Sequence, residues 1–407
     1  MDNVNSYDEF KIIIDDKTKG DNKLHLEFSD ICVTFDLQLE WIDSILRADL
    51  SEEYKTLNVD IKTSINFTNC KFKKFDCSNI PETNQLEVNI VGGNIEELSA
   101  INSVFIGKFY INKQYGRNNK EIKIEKLIIS DCVFKENFKL HNAKVNIFSI
   151  EDTDFEKHAD FFKSTFQRGV LPENIDERVS ENDIGFKAIN FRGLALFGDT
   201  KFKRKLIFKY VTFESYSHFR KAKLEKGLDL DYSNIQNEMN FFDVQRLETK
   251  EAKKNTTQET YRIIKHNFEK IGNKIESNKY LALELEQKKI SLEKEDPRKW
   301  RDYLVFKTHW LSSEFGTNWS RPLLLIVLTG LITVGLIHFS LLMELICKPS
   351  MFKAEYIWKA INDSFQYMYI LNKNEVLISS SKTLLFNKAL LGYFYYQFLV
   401  SIRKNTK

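Results

Sequence analysis

The C-terminal part of the sequence places ionisable and amide side chains within or beside apolar stretches. These residues are His338, Glu344, Asp363, Asn372 and Glu375. Polar groups in apolar surroundings bind ions, relay protons or line a pore, because burying them without a partner is costly. The other interpretation of His338 is a neutral imidazole bonded to a neighbouring backbone group. We predict these five residues as candidate polar sites of a pore or intramembrane pathway.

Motifs that carry catalysis are absent from the sequence. It contains no G-x-x-x-x-G-K-[ST], no H-E-x-x-H and no G-x-S-x-G, and its 7 histidines are scattered. The 5 cysteines form no C-x-x-C pair, so neither a zinc site nor a disulfide framework is indicated. We therefore predict a protein that is not an enzyme, with no catalytic residue, cofactor or metal.

Two stretches near the C-terminus are apolar enough to predict membrane-crossing helices. Leu323–Met343 contains no Lys, Arg, Asp or Glu, and 21 residues at 1.5 Å each give a helix of about 31 Å, the thickness of a bilayer core. Leu384–Ile402 is a second candidate, although it contains Lys388. Between them Ala354–Leu371 is aromatic but mixed, which favours a half-helix. Residues 321–407 are thus predicted as a transmembrane hairpin with a central half-helix, following an interfacial helix over 298–320.

The location follows from this assignment. The first 16 residues show no signal peptide. The prediction is therefore a multi-pass protein of the inner or plasma membrane, with both termini in the cytoplasm. A plain membrane anchor is the simpler alternative to a channel-like hairpin.

An eleven-residue repeat begins at Ile189 and runs through five copies without a gap: INFRGLALFGD, TKFKRKLIFKY, VTFESYSHFRK, AKLEKGLDLDY and SNIQNEMNFFD. The third and ninth positions are large and apolar, so large residues alternate at spacings of six and five. A helix needs three and four, and an exposed strand needs two. The spacing predicts short strands separated by corners, each sending a large side chain, and often a small one two residues earlier, into a core. The large residues are Phe191, Phe197, Phe202, Phe208, Phe213, Phe219, Leu224, Leu230, Ile235 and Phe241.

These repeats resemble the bacterial pentapeptide-repeat family, and the resemblance covers about 127–243. It implies a mainly β solenoid, a right-handed quadrilateral β-helix with about 22 residues per turn. Large Phe138 and Phe148 depart from the small residues usual at their position, and a β-sandwich is the rival fold. The last helix also resembles that of channel-like pentapeptide-repeat proteins with a two-helix transmembrane domain, although no potassium-filter sequence follows the half-helix.

The remaining boundaries complete the predicted organisation. Residues 1–100 are predicted as a β-rich N-terminal cap, and residues 101–243 as the solenoid with an insertion near 167–187. Residues 244–297 are predicted as a helical hairpin connector, because a capping sequence at Thr256–Glu259 precedes an apolar helical face and Gly272 follows it.

The charge pattern limits the partners. The net charge of +3 shows no basic tract, so we predict no nucleic-acid partner. A DNA mimic is also rejected, because residues 189–243 carry more Lys and Arg than Asp and Glu. The sequence favours a homo-oligomeric, channel-like protein in the lipid bilayer whose cytosolic repeats bind an unidentified protein partner. A membrane-tethered binding scaffold without transport activity is the alternative.

Overall fold

A computed structural model of the chain describes residues 2–18, 25–48, 62–82, 85–113, 122–170, 180, 182–294, 299–337, 354–371 and 381–406. The chain forms two compact units, Met1–Asn267 and Phe268–Lys407. The first unit is built on β-strands, and the second is helical.

The described strands belong to one 19-stranded sheet, and their pairings are parallel. Their bounds are β1 Asp2–Val4, β2 His25–Ser29, β3 Ile31–Gln38, β4 Thr63–Asp76, β5 Leu86–Phe105, β6 Phe109–Asn112, β7 Ile122–Phe134, β8 Phe138–His141, β9 Ala143–Phe155, β10 Ala159–Asp160, β11 Thr165–Gly169, β12 Ile184–Phe191, β13 Ala195–Leu196, β14 Lys201–Phe202, β15 Leu206–Phe213, β16 Ser217–His218, β17 Lys223–Leu224, β18 Leu228–Ile235 and β19 Met239–Asn240.

The core of the sheet is made of stacked aromatic rings. Phe134, Phe155, Phe191 and Phe213 form one column, with centroids 5.1 to 5.3 Å apart and nearly parallel planes. This distance follows the strand separation of about 4.8 Å, because partners in a parallel ladder point the same way. The large repeat residues are buried as predicted, except Ile235, which is partly exposed. Cys70 and Cys132 are also buried in this core.

Corners of the sheet carry residues with left-handed backbone. Asn79, Asn102, Asp131 and Asp152 have φ between 46° and 59°. Asn and Asp adopt this conformation more readily than other residues with a side chain. The four recur at the interval of the strand pairing, so each redirects the chain at the same place in the ladder.

The fold-class prediction of a right-handed quadrilateral β-helix is wrong, and so is the solenoid that it implied. The structure has a curled, all-parallel sheet followed by helices. The spacing of five and six correctly located corners and inward residues. The spacing does not determine the number of sides or the handedness of the fold. Those two features of the prediction came from the family resemblance alone.

Strands of the first hundred residues join this same sheet. The region predicted as a β-rich cap contains β2, β3, β4 and the start of β5, and β4 pairs with β5 over 12 residue pairs. Near 167–187 the pairing interval lengthens. Ala159 pairs with Phe138, 21 residues earlier, and with Ala195, 36 residues later.

The helices are α1 Tyr7–Thr18, α2 Leu39–Ala48, α3 Lys250–Asn255, α4 Gln258–Lys270, α5 Lys274–Lys294, α6 Trp300–Ser313, α7 Ser320–Ile337, α8 Ala354–Met368 and α9 Ser381–Thr406, with a 3-10 turn at Glu314–Gly316. Gly272, with φ +74°, lies between α4 and α5.

Side chains of residues that follow β19 accept hydrogen bonds from backbone N–H groups of β18 and β19. Thr256 Oγ1 accepts from the backbone N–H of Leu228 at 3.1 Å, and Thr260 Oγ1 accepts from that of Leu230 at 2.9 Å. Asn267 Oδ1 accepts from the N–H of Met239 at 2.8 Å. These bonds satisfy donors that a further strand would otherwise bind.

The predicted membrane crossings are wrong. No helix among the described residues has the length and apolar character needed to cross a bilayer. Helix α7 contains residues 323–337 of the first predicted stretch, and residues 338–343 lie outside the described residues. Helix α9 is longer, but Lys388, Arg403 and Lys404 interrupt its apolar character. The prediction of a multi-pass membrane protein is corrected accordingly.

Candidate groove

A row of lysines crosses four neighbouring strands of the sheet. Lys71 on β4 is the ladder partner of Asn94 on β5, which pairs with Lys123 on β7, which pairs with Lys144 on β9. Each step is about 4.8 Å. All four side chains are exposed. We call these four residues the lysine row.

A second row lies two residues further along the same strands. Lys73 follows Lys71 at the β4 end of this row, and then Glu96 follows Asn94, Glu125 follows Lys123 and Asn146 follows Lys144. Residues two apart in a strand point to the same face, so the two rows lie side by side. The Asn146 amide donates to the Glu125 carboxylate. We call Glu96, Glu125 and Asn146 the acid row.

The two rows line a groove with a volume of about 980 Å³. Cys32 and Thr34 of β3 lie at one end, and Gln167 of β11 lies at the other. Basic and acidic side chains therefore face the same space along parallel lines. This arrangement provides electrostatic recognition of a partner that carries both signs of charge.

The charges of the lysine row are not neutralised by ion pairs with described residues of the chain. Lys71, Lys123 and Lys144 make no ion pair with any residue that the structure describes. Further along the sheet the situation differs, because Glu225 lies 2.9 Å from Lys203 and 3.4 Å from Lys201. Burial opposes ionisation of Glu225, but these lysines hold its pKa below the usual value. Free cations in the groove remain available to a ligand.

The core determines which way the row faces. Each of the three lysines directly precedes a buried residue, namely Phe72, Ile124 and Val145. Since side chains alternate along a strand, an inward residue forces its neighbour outward.

Sequence reasoning missed the groove, although a signal was present. A small or apolar residue, then Lys, then a large apolar residue recurs, and Thr200-Lys201-Phe202 and Ala222-Lys223-Leu224 belong to the aligned repeats. The pairing order of the strands was needed to see that these lysines share one row.

Among the five predicted polar sites, the structure describes Asp363. Asp363 lies partly buried on α8. Burial, and then the charge of Asp363, raise the pKa of Tyr367 on the next turn. His338, Glu344, Asn372 and Glu375 lie outside the described residues. Among the described residues, no group of three His, Cys, Asp or Glu is placed to hold a metal ion.

The buried thiols are not reactive centres. Burial raises the pKa of Cys70 to about 11 and that of Cys132 to about 12. A thiol with such a pKa carries almost no thiolate at neutral pH, and the thiolate is the nucleophile.

Comparisons with known proteins identify no relative of the chain. No family model, no curated protein and no solved structure matches it. The resemblance to pentapeptide-repeat proteins therefore stays a prediction from the repeats, and the groove must be interpreted from its own residues.

Proposed function

We propose that this chain is a binding scaffold that holds a protein partner in the groove and catalyses no reaction. The supporting observation is the row of three exposed lysines without ion pairs, beside two carboxylates in the same 980 Å³ space. A rigid ladder fixes these charges at regular intervals, so recognition needs no rearrangement of the sheet. A channel-like function is not proposed, because it rests on the corrected membrane crossings.

A protein partner fits the groove better than a nucleic acid does. Nucleic acids present phosphate charges of one sign, and affinity for them comes from neutralising those charges. Glu96 and Glu125 face the same groove and would repel phosphates. A polypeptide can present acidic groups to the lysine row and basic groups to the acid row.

Photocrosslinking in the producing cells tests the proposal. A photoreactive amino acid replaces Asn94, which lies between Lys71 and Lys123 in the row and leaves all three lysines in place. We expect a discrete crosslinked protein product. That product should disappear when Lys71, Lys123 and Lys144 are all changed to Glu.

The matched control changes Lys11, Lys250 and Lys254 to Glu. These lysines are exposed on α1 and α3, and their replacement alters the net charge equally. The control variant should keep the product. A product that survives reversal of the lysine row, or no product at all, contradicts the proposed function.

A further inference from the structure

The spacing of charges in the groove discriminates between possible partner segments, and this inference rests on the proposed function. Lys144 and Lys123 are one ladder step apart, and Lys123 and Lys71 are two steps apart. At about 4.8 Å per step, the Cα atoms of the three lysines stand at 0, about 4.8 and about 14.4 Å along the groove. A partner must offer acidic groups at matching distances.

An extended strand does not match these distances. Its residues on one face repeat every two positions, or about 6.7 Å. The first acid after the starting one would therefore miss Lys123 by about 2 Å. The next acid would fall near 13.4 Å, about 1 Å short of Lys71, so the mismatch would change sign along the row.

The residue spacing of an α-helix matches the three lysine positions closely. At about 1.5 Å per residue, positions i, i+3 and i+10 stand at 0, 4.5 and 15 Å along the axis. With about 3.6 residues per turn, all three lie within one quarter of the helix surface. Positions i+2 and i+6 lie beside this face and are about 6 Å apart, where lysines can reach Glu125 and Glu96.

We propose that the groove binds an α-helix of a partner protein that carries acidic residues at i, i+3 and i+10 and basic residues along the adjacent side. The lysine row binds the acidic face, and the acid row binds the basic side. The axis of the bound helix runs across the strands, along the two rows.

Labelled synthetic peptides of about 18 residues, long enough to form a helix, test this inference by fluorescence anisotropy with the full chain. The matched peptide is alanine-rich, with Glu at i, i+3 and i+10 and Lys at i+2 and i+6. A second peptide has the same composition but Glu at i, i+5 and i+10, which lie on different faces. A third carries two prolines in the matched sequence, and a single-stranded oligothymidine serves as a uniform polyanion.

We expect the matched peptide to bind at least about tenfold more tightly than the other three probes. The Lys123→Glu variant should lose that affinity. It should regain affinity for a peptide in which Glu at i+3 is replaced by Lys, because the exchange restores opposite charges. Lys254→Glu should bind the matched peptide like the parent chain.

The outcomes separate the inference from the proposed function. Equal binding of the rearranged or proline-containing peptide overturns the helical occupant. Tighter binding of oligothymidine overturns both, because it makes the groove a polyanion site. If no peptide binds while the Asn94 crosslink still depends on the lysine row, the helical occupant is wrong and the scaffold function stands.

Discussion

The sheet unit and the helical unit use large apolar side chains in opposite ways. In the sheet, the rings of Phe161, Phe197 and Phe208 are at most 1% exposed; Phe161 stacks on Phe197, and Phe208 meets Phe197 edge to face. In the helical unit, Phe365 is 65% exposed and Leu385 is 74% exposed. An apolar residue is buried dependably where a ladder fixes its direction, whereas a high apolar content alone does not determine what surrounds a helix.

The largest expected effect comes from a charge placed inside the sheet. Phe208→Asp puts a carboxylate among Phe186, Phe213 and Phe219, whose ring centroids lie 5.0 to 5.8 Å away. We expect a loss of about 4–5 kcal/mol or more of unfolding free energy, enough to prevent folding. Urea denaturation followed by circular dichroism measures it.

Tyr210→Asp is the matched control for this change. Tyr210 lies two residues away on the same strand, is 61% exposed and has φ +58°, a conformation that Asp tolerates well. Its denaturation midpoint should stay close to that of the parent chain. Equal behaviour of the two variants would remove the distinction between the inner and outer faces of the sheet.

A smaller loss is expected where the sheet ends. Thr260→Val removes the hydroxyl that accepts from the Leu230 N–H and leaves that buried donor without a partner. The expected cost is about 1–3 kcal/mol in unfolding free energy. Thr308→Val on α6 is the control, because Thr308 Oγ1 bonds only to a carbonyl of its own helix. If the two variants lose the same amount, side-chain closure of the ladder is not a source of stability.

A pH-dependent effect should distinguish His218 from exposed histidines of the sheet. Burial lowers the pKa of His218, with Asp160 and Asp199 opposing this change and Arg220 adding to it. The unfolded chain takes up a proton near pH 6.5, so the folded state loses stability as the pH falls through that value. The loss between about pH 7.5 and pH 5 should be smaller in His218→Gln.

Hydrogen exchange or urea denaturation at several pH values measures this difference. His158→Gln, at an exposed position of the same unit, is the control and should keep the slope of the parent chain. Parallel curves for His218→Gln and the parent chain would contradict the prediction.

The smallest effect is expected on the helical side of the comparison. Phe365→Asp replaces an exposed ring, so the unfolding free energy should change by less than about 0.5 kcal/mol. Thermal denaturation of the purified chain measures it. A loss comparable to that of Phe208→Asp would show that this helical surface is covered, and the contrast between the two units would fail.

The sequence predicted the core better than it predicted the architecture. Alternate spacing of six and five located Phe197, Phe208 and Phe219, because each large residue must sit where the chain turns inward. The predicted path of the sheet was wrong, because the spacing of residues along the chain does not determine the handedness of that path. The predicted membrane crossings were wrong, because an apolar stretch of sequence does not by itself give a crossing helix, and no described helix is long and apolar enough for one.

The groove could not be predicted from the sequence with the reasoning used for the core. Lys71, Lys123 and Lys144 are separated by unequal distances in the chain, and each alone is an ordinary exposed lysine. Only the ladder partners make them neighbours. Packing constrains the inward residues, whereas side chains on the outer face are free to vary. Functional side chains on the outer face therefore leave a weaker pattern in the sequence.

The uneven pairing intervals of the sheet suggest a route to engineering it. Phe109 pairs with Phe138, 29 residues later, and Ala159 pairs with Ala195, 36 residues later, whereas Phe138 and Ala159 are only 21 apart. Longer connections therefore leave the alignment of flanking strands intact. Guest sequences, such as an epitope or a fluorescent reporter, can be grafted between Asn112 and Ile122. Because Lys123 follows directly, such a reporter would be attached next to the groove and could signal its occupancy.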